Sequence, residues 1–211
     1  MSISEQDFGV PMTKQAFLSL IEDPQPYRYE WRNGRLYAMS GGSGPHSMIA
    51  KRVERLFDDQ LGLDGPCITY RDRYVEIPDS TPLLPDLVLS CAPSDWKRDK
   101  MKGQNSTTIQ YPRLIVEVLS EESTGAYDRI EKRLLYQRCP TLDVYMLCSQ
   151  TKTEITLYKR ATNWAEEIYV GQKTMAFPEF QISIALPDIY SGILKTLTRS
   201  EQPESDSPGL G

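Results

Sequence analysis

Leu114-Ile115-Val116-Glu117-Val118-Leu119 is the most apolar stretch of the chain, and a carboxylate sits in the middle of it. The run reads as an apolar strand, so Glu117 is carried into the interior with it. An unpaired buried charge costs several kcal/mol even after relaxation, so Glu117 requires a cation, a metal or a proton beside it. A second carboxylate has the same character. Asp86 follows Pro85 and opens the shorter apolar run Asp86-Leu87-Val88-Leu89. Two acidic side chains on two apolar strands suit a divalent-metal site, because hard cations such as Mg²⁺ take carboxylate and carbonyl oxygens.

Asp86 and Glu117 are separated by a loop, which lets their strands pair and bring both carboxylates to one sheet edge. The carbonyl of Val118 is a further candidate ligand. A divalent ion so held activates water and stabilises charge on a phosphoryl oxygen. What such a site still lacks is a cation near the attacking water. Lys132 is the candidate, because it lies on the helix immediately after the Glu117 strand, and a helix returning over the sheet brings it to the same edge. The bland alternative pairs Lys132 with Asp128 at i,i+4 on a solvated helix face.

The remaining elements frame this pair. Residues 13 to 22 read as a short helix with Thr13 as N-cap and Phe17, Leu20 and Ile21 on one face. Tyr27 to Trp31 and Leu36 to Met39 flank Asn33-Gly34, the strongest short-range signal for a two-residue hairpin turn. Glu30 lies on that hairpin, either as an additional site carboxylate or as an exposed strand residue. After the Gly41-Gly42-Ser43-Gly44-Pro45 break, His46 to Leu61 is amphipathic at helical spacing. His46 at its start is suited to a structural, phosphate-contacting or acid-base role. An extended segment spans Ile68 to Ile77. A helix through Ile130, Leu134 and Leu135 ends at Pro140, and strands follow at Val144–Cys148, Glu154–Tyr158, 167–170 and 182–186, then a last helix from Asp188 to Leu197. The order describes an α/β layer with a mixed sheet. No glycine-rich phosphate loop follows a strand.

At 211 residues the chain suits one domain, taken as residues 12–198, with an N-terminal extension at 1–11 and a disordered polar tail at 199–211. No run approaches the ~20 apolar residues of a membrane span, and Met1 to Asp7 lacks the features of a signal peptide, so a cytoplasmic protein is expected. Cys67, Cys91, Cys139 and Cys148 form no CxxC pair and His46 is the only histidine, which argues against structural zinc and against a disulfide framework. The net charge of -5 argues against a broadly basic nucleic-acid binder. One local cluster, Lys97, Arg98, Lys100 and Lys102 beside Trp96, is basic; it is either a nucleic-acid contact or a solvated loop.

Pro85-Asp86, Leu114 to Ser120, Ser123-Thr124, Asp128 and Lys132-Arg133-Leu134-Leu135-Tyr136 together closely resemble the bacterial putative restriction endonuclease family, once catalogued as a domain of unknown function. The likeness extends back to Tyr29–Leu36 and His46 and forward to Val144–Leu147. That family is similar in fold to the PD-(D/E)XK nucleases. The resemblance implies a restriction-endonuclease-like mixed β-sheet flanked by helices and a Mg²⁺- or Mn²⁺-dependent endonuclease acting on DNA. It implies Asp86 and Glu117 as metal ligands, with Lys132 standing for the motif lysine. Two departures are visible: the usual lysine position, two residues after the glutamate, holds Leu119, and Cys148-Ser149 replaces an acidic residue often found after the following strand. The rival reading is a non-catalytic nucleic-acid or protein-binding module on a nuclease scaffold. A homodimer is expected, with Val144–Cys148 and Glu154–Tyr158 offering a sheet edge or face to the second copy.

Overall fold

A computed structural model describes residues 9–22, 27–39, 43–62, 65–95, 108–119 and 128–193. The basic cluster at 96–102, the residues 120–127, most of the extension at 1–11 and the tail at 199–211 lie outside them, as does the end of the expected last helix.

β1 (Val10–Pro11) is followed by α1 (Lys14–Leu20), whose N-cap Thr13 accepts a hydrogen bond from the Ala16 N–H through its side-chain oxygen. β2 (Arg28–Arg32) and β3 (Arg35–Met39) are joined by Asn33 and Gly34 at φ 47° and 81°. Positive φ at both turn positions is what a type I′ hairpin demands. These three strands form a small antiparallel sheet in the order β1-β3-β2. α2 (Gly44–Leu61) begins at the N-cap Ser43 and buries Ile49, Ala50, Val53 and Phe57.

Next come β4 (Ile68–Tyr70), β5 (Tyr74–Val75), β6 (Leu87–Ser90), β7 (Thr108–Ile109) and β8 (Pro112–Leu119). A π-turn at Asp128–Lys132 runs directly into α3 (Arg133–Tyr136). β9 (Val144–Ser149), β10 (Glu154–Lys159) and β11 (Glu166–Val170) follow, then the hairpin of β12 (Thr174–Phe177) and β13 (Ile182–Ala185), and α4 (Leu186–Tyr190).

The main sheet has the order β11-β10-β9-β8-β6-β4. Every pairing in it is antiparallel except β8 with β9, which makes the sheet mixed. Parallel neighbours need a crossover connection. Here the crossover after β8 carries the π-turn and α3 over one sheet face, which is how Lys132 reaches the Glu117 strand. Val116 and Val118 join the core under α2, while Ile115 and Leu119 pack with Tyr136, Tyr145 and Leu147 on the other side. Apolar packing on both faces explains the unbroken apolar run around Glu117.

The strand expected at 182–186 is present as β13 and pairs with β12 in a separate hairpin. Three expectations change. The helix expected through Ile130, Leu134 and Leu135 presents Ile130 and Leu134 to solvent and turns Lys132 and Tyr136 inward. β9 and β10 are interior strands with both edges paired, so they cannot supply a free edge to a second copy; the outer strands are β11 and β4. The third concerns sulfur. Ile68 pairs with Ser90, which sets Cys67 opposite Cys91, and the two form a disulfide, where spacing alone argued against bridging. Cys139 and Cys148 are free and buried. The bridge closes a span of 24 residues, so reduction with dithiothreitol is expected to lower unfolding stability by about 2–4 kcal/mol, read from the urea midpoint. Among the described residues no helix is long and apolar enough to cross a membrane.

Candidate active site

The β6–β8 register decides the geometry of the site. Leu87 pairs with Val116, so Asp86, one residue before β6, falls opposite Glu117. Beyond the end of β6 the Asp86 carboxylate continues the contact with β8: its Oδ2 accepts from the Val118 N–H at 2.8 Å. His46 comes from the first turn of α2 and places Nε2 3.2 Å from the same oxygen, while Arg28 Nη2 lies 3.4 Å from Oδ1. Burial pushes the Asp86 carboxyl up, but His46, the Val118 N–H and Arg28 together outweigh it and hold the group below its ordinary value.

Glu117 is held from the opposite side. Its Oε1 lies 3.0 Å from Lys132 Nζ and accepts from the Tyr136 hydroxyl at 3.1 Å. Lys132 and Tyr136 are four residues apart, hence on one helical face, and both meet one carboxylate oxygen. Lys132 also lies 2.8 Å from Glu30 Oε1, an ion pair between side chains from two distant elements. Arg32, two residues beyond Glu30 on β2 and so on the same face, binds Glu30 Oε2 through both Nε and Nη2. Glu30 is 1 % and Lys132 2 % exposed. Burial pushes the Glu30 carboxyl up, yet Lys132 and Arg32 overcome it and the group stays below its usual range.

Tyr136 completes this side. Its ring packs against Tyr145 with centroids 5.4 Å apart. Burial, with the charge of Glu117 beside it, pushes the phenol well above its ordinary value, so the hydroxyl remains a donor. Tyr136→Phe keeps the ring and deletes one hydrogen bond to a charged group. Its expected cost is about 1.5–3 kcal/mol of unfolding free energy in a urea melt.

The structure therefore brings Glu30, Glu117 and Lys132 into direct contact, and sets Asp86, His46 and the Val118 backbone beside them. Burial of Glu30 overturns its reading as an exposed strand residue. Burial of Lys132 likewise overturns the solvated-face alternative; the side chain of Asp128 lies outside the described set. Three side chains were not assigned a role from sequence: Arg28, Arg32 and Tyr136. Their signals were present, as the two-residue period Arg28, Glu30, Arg32 and the four-residue step from Lys132 to Tyr136.

Three comparisons relate this chain to known proteins. The family model Uma2, described as "Putative restriction endonuclease", matches residues 15–187. The chain is 36% identical over 176 residues to uncharacterized protein slr1290 of Synechocystis sp. (strain ATCC 27184 / PCC 6803 / Kazusa), covering 82% of this chain and 88% of that one. The crystal structure of a "putative nuclease belonging to DUF820" from Anabaena variabilis ATCC 29413 superposes with a TM-score of 0.67 at 16% identity, covering 87% of this chain and 100% of that one. That likeness bears out the restriction-endonuclease-like mixed sheet. With most of its length matched by the family model, the chain belongs to the Uma2 family, described as "Putative restriction endonuclease".

Proposed function

We propose that this protein is a Mg²⁺- or Mn²⁺-dependent endonuclease that hydrolyses DNA phosphodiester bonds. The observation that carries the reading is the burial of the Lys132 ammonium against Glu117, which lies opposite Asp86. Two carboxylates and a lysine, the functional groups such a hydrolase needs, are thus assembled although Leu119 occupies the usual lysine position.

The donor set suits a hard cation. Asp86 and Glu117 offer carboxylate oxygens. A strand residue presents its N–H and C=O to the same neighbour, so the Val118 carbonyl is directed to the Asp86 side along with its N–H. Among the described residues no group of three or more His, Cys, Asp or Glu is arranged as a metal cage. Mg²⁺ is commonly held by one or two carboxylates with substrate phosphate and water completing the shell, so an open two-carboxylate set fits it. When bound, the ion supplies Lewis-acid stabilisation of charge at phosphorus and a more acidic water. In this reading Lys132 orients that water and offsets phosphate charge, Glu30 and Arg32 fix Lys132, and His46 fixes Asp86.

One observation favours the rival binding module: both Asp86 oxygens and Glu117 Oε1 are already engaged by protein donors. The deciding experiment is a cleavage assay on plasmid, linear, branched and single-stranded DNA with Mg²⁺ or Mn²⁺, beside calorimetric titration of Mn²⁺. Cleavage of any of these substrates that EDTA abolishes supports the enzyme. No cleavage and no Mn²⁺ binding would leave the module.

A further inference from the structure

Two arginines flank Glu30 on one face of β2, and they are bound in opposite ways. Arg32 directs two donors, Nε and Nη2, in a fork onto the single oxygen Glu30 Oε2, a charge-assisted pairing. Arg28 has no such fork. Its Nη2 lies 3.4 Å from both the Pro85 carbonyl and Asp86 Oδ1. Its Nε lies 3.3 Å from Asp72 Oδ1, yet is buried without an aligned hydrogen bond. All three distances exceed the usual 2.7–3.2 Å range for N–H donors, and a guanidinium offers five donors.

Neutralising Asp86 does not account for this placement. The Val118 N–H and His46 already serve Oδ2 at shorter range, and a guanidinium dedicated to Asp86 would be expected to take it in a bidentate fork. The Arg28 side chain is also 29% exposed, and the partner at its outer side, Asp72, is 66% exposed. The result is a cation at the mouth of the site, loosely tethered between a buried carboxylate and a solvated one.

We propose that Arg28 is a substrate-binding residue that takes a backbone phosphate of the polynucleotide strand lying beside Asp86. The proposal rests on the nuclease reading above and extends it to a specific contact. Arginine matches the geometry of phosphate oxygens with paired N–H donors. In a chain of net charge -5, attraction for a polyanion has to come from local cations and not from the whole-molecule field. Asp72 is then a competitor: its carboxylate holds the guanidinium where a phosphate oxygen would lie.

The test is fluorescence anisotropy of the full-length protein with fluorescein-labelled duplex and single-stranded oligonucleotides, in EDTA to prevent cleavage, across a NaCl series. Arg28→Ala is expected to weaken binding about tenfold or more at fixed salt. It should also flatten the slope of log K against log salt by about 0.9 on duplex or about 0.7 on single strand. Arg28→Lys should keep most of the slope while losing affinity, because it retains the charge but not the fork. Asp72→Asn, at an exposed position, should tighten binding. Folding of each variant is checked by its melting curve, and should Arg28→Ala fail to fold, the Arg28→Lys and Asp72→Asn arms decide. If wild-type protein binds but these substitutions leave affinity and salt slope unchanged, the Arg28 inference is overturned and the nuclease reading stands. If wild-type protein binds neither oligonucleotide, the Arg28 inference falls, while the nuclease reading is decided by the cleavage assay above.

Discussion

Glu117→Gln is expected to abolish the divalent-ion-dependent cleavage proposed above while leaving a folded protein. The amide is nearly isosteric with the carboxylate, and its oxygen can still accept from Lys132 and Tyr136, so the packing around α3 persists. What disappears is a formal negative charge at the site proposed to hold a dication. Losing an outer-shell partner of a metal ligand typically costs 10–100-fold in affinity or activity, so losing a ligand's charge should exceed about 100-fold. Asp86→Asn is expected to act in the same direction, with His46 and Arg28 left facing a neutral amide. Calorimetric titration with Mn²⁺ and a plasmid-nicking assay check both variants. Full Mg²⁺-dependent activity in both would remove Asp86 and Glu117 from the mechanism.

Lys132→Met is expected to produce the largest stability loss of any single change at the site. The ammonium lies between Glu30 and Glu117, and removing it leaves two buried carboxylates facing each other with Arg32 on the far side of one. Breaking a buried ion pair by deleting one partner costs about 3–5 kcal/mol. Lys132→Met should lose about that much in urea melts at pH 7, and it should also lose turnover while Asp86 and Glu117 remain to bind Mn²⁺. The pH dependence has a definite sign. Because the folded Glu30 carboxyl lies below its ordinary value of 4.5, its contribution is present above that pH and is lost as pH falls through the lowered value. The gap between wild type and variant should therefore narrow in strongly acidic solution, where Glu30 is protonated in both. A variant as stable as wild type at pH 7 would mean that Lys132 does not balance the two carboxylates.

Much of this was legible in the chain, for reasons that can be located. The Glu117 strand was legible because a continuous apolar run has few other uses, and the β2–β3 hairpin because Asn33-Gly34 tolerates positive φ at two consecutive positions. Lys132 was reachable because only a helix returning over the sheet could set a cation against Glu117. The outward turn of the helix's aliphatic residues was not. Patterns of apolarity place Ile130 and Leu134 inside, whereas the fold turns them out, because two buried carboxylates make a stronger demand on that helix face than two aliphatic side chains. Arg28 and Arg32 were hidden for a related reason. Alternating charges on a hairpin strand read as a solvent face until it is known that this face covers the site. The Cys67–Cys91 bridge depends on strand register, which residue spacing does not encode.

The π-turn and α3 lie in the crossover between parallel strands, and this has a consequence for biosynthesis. Glu30 and Lys132 meet across nearly half the chain, and Asp86 and Val118 across 32 positions. Contacts so distant in sequence form only after long loops have closed, late in folding. A growing chain on the ribosome has therefore not yet gathered its carboxylates around the lysine, and a locally unfolded one loses the cluster as a unit. On the nuclease reading, activity is expected only once the fold is complete.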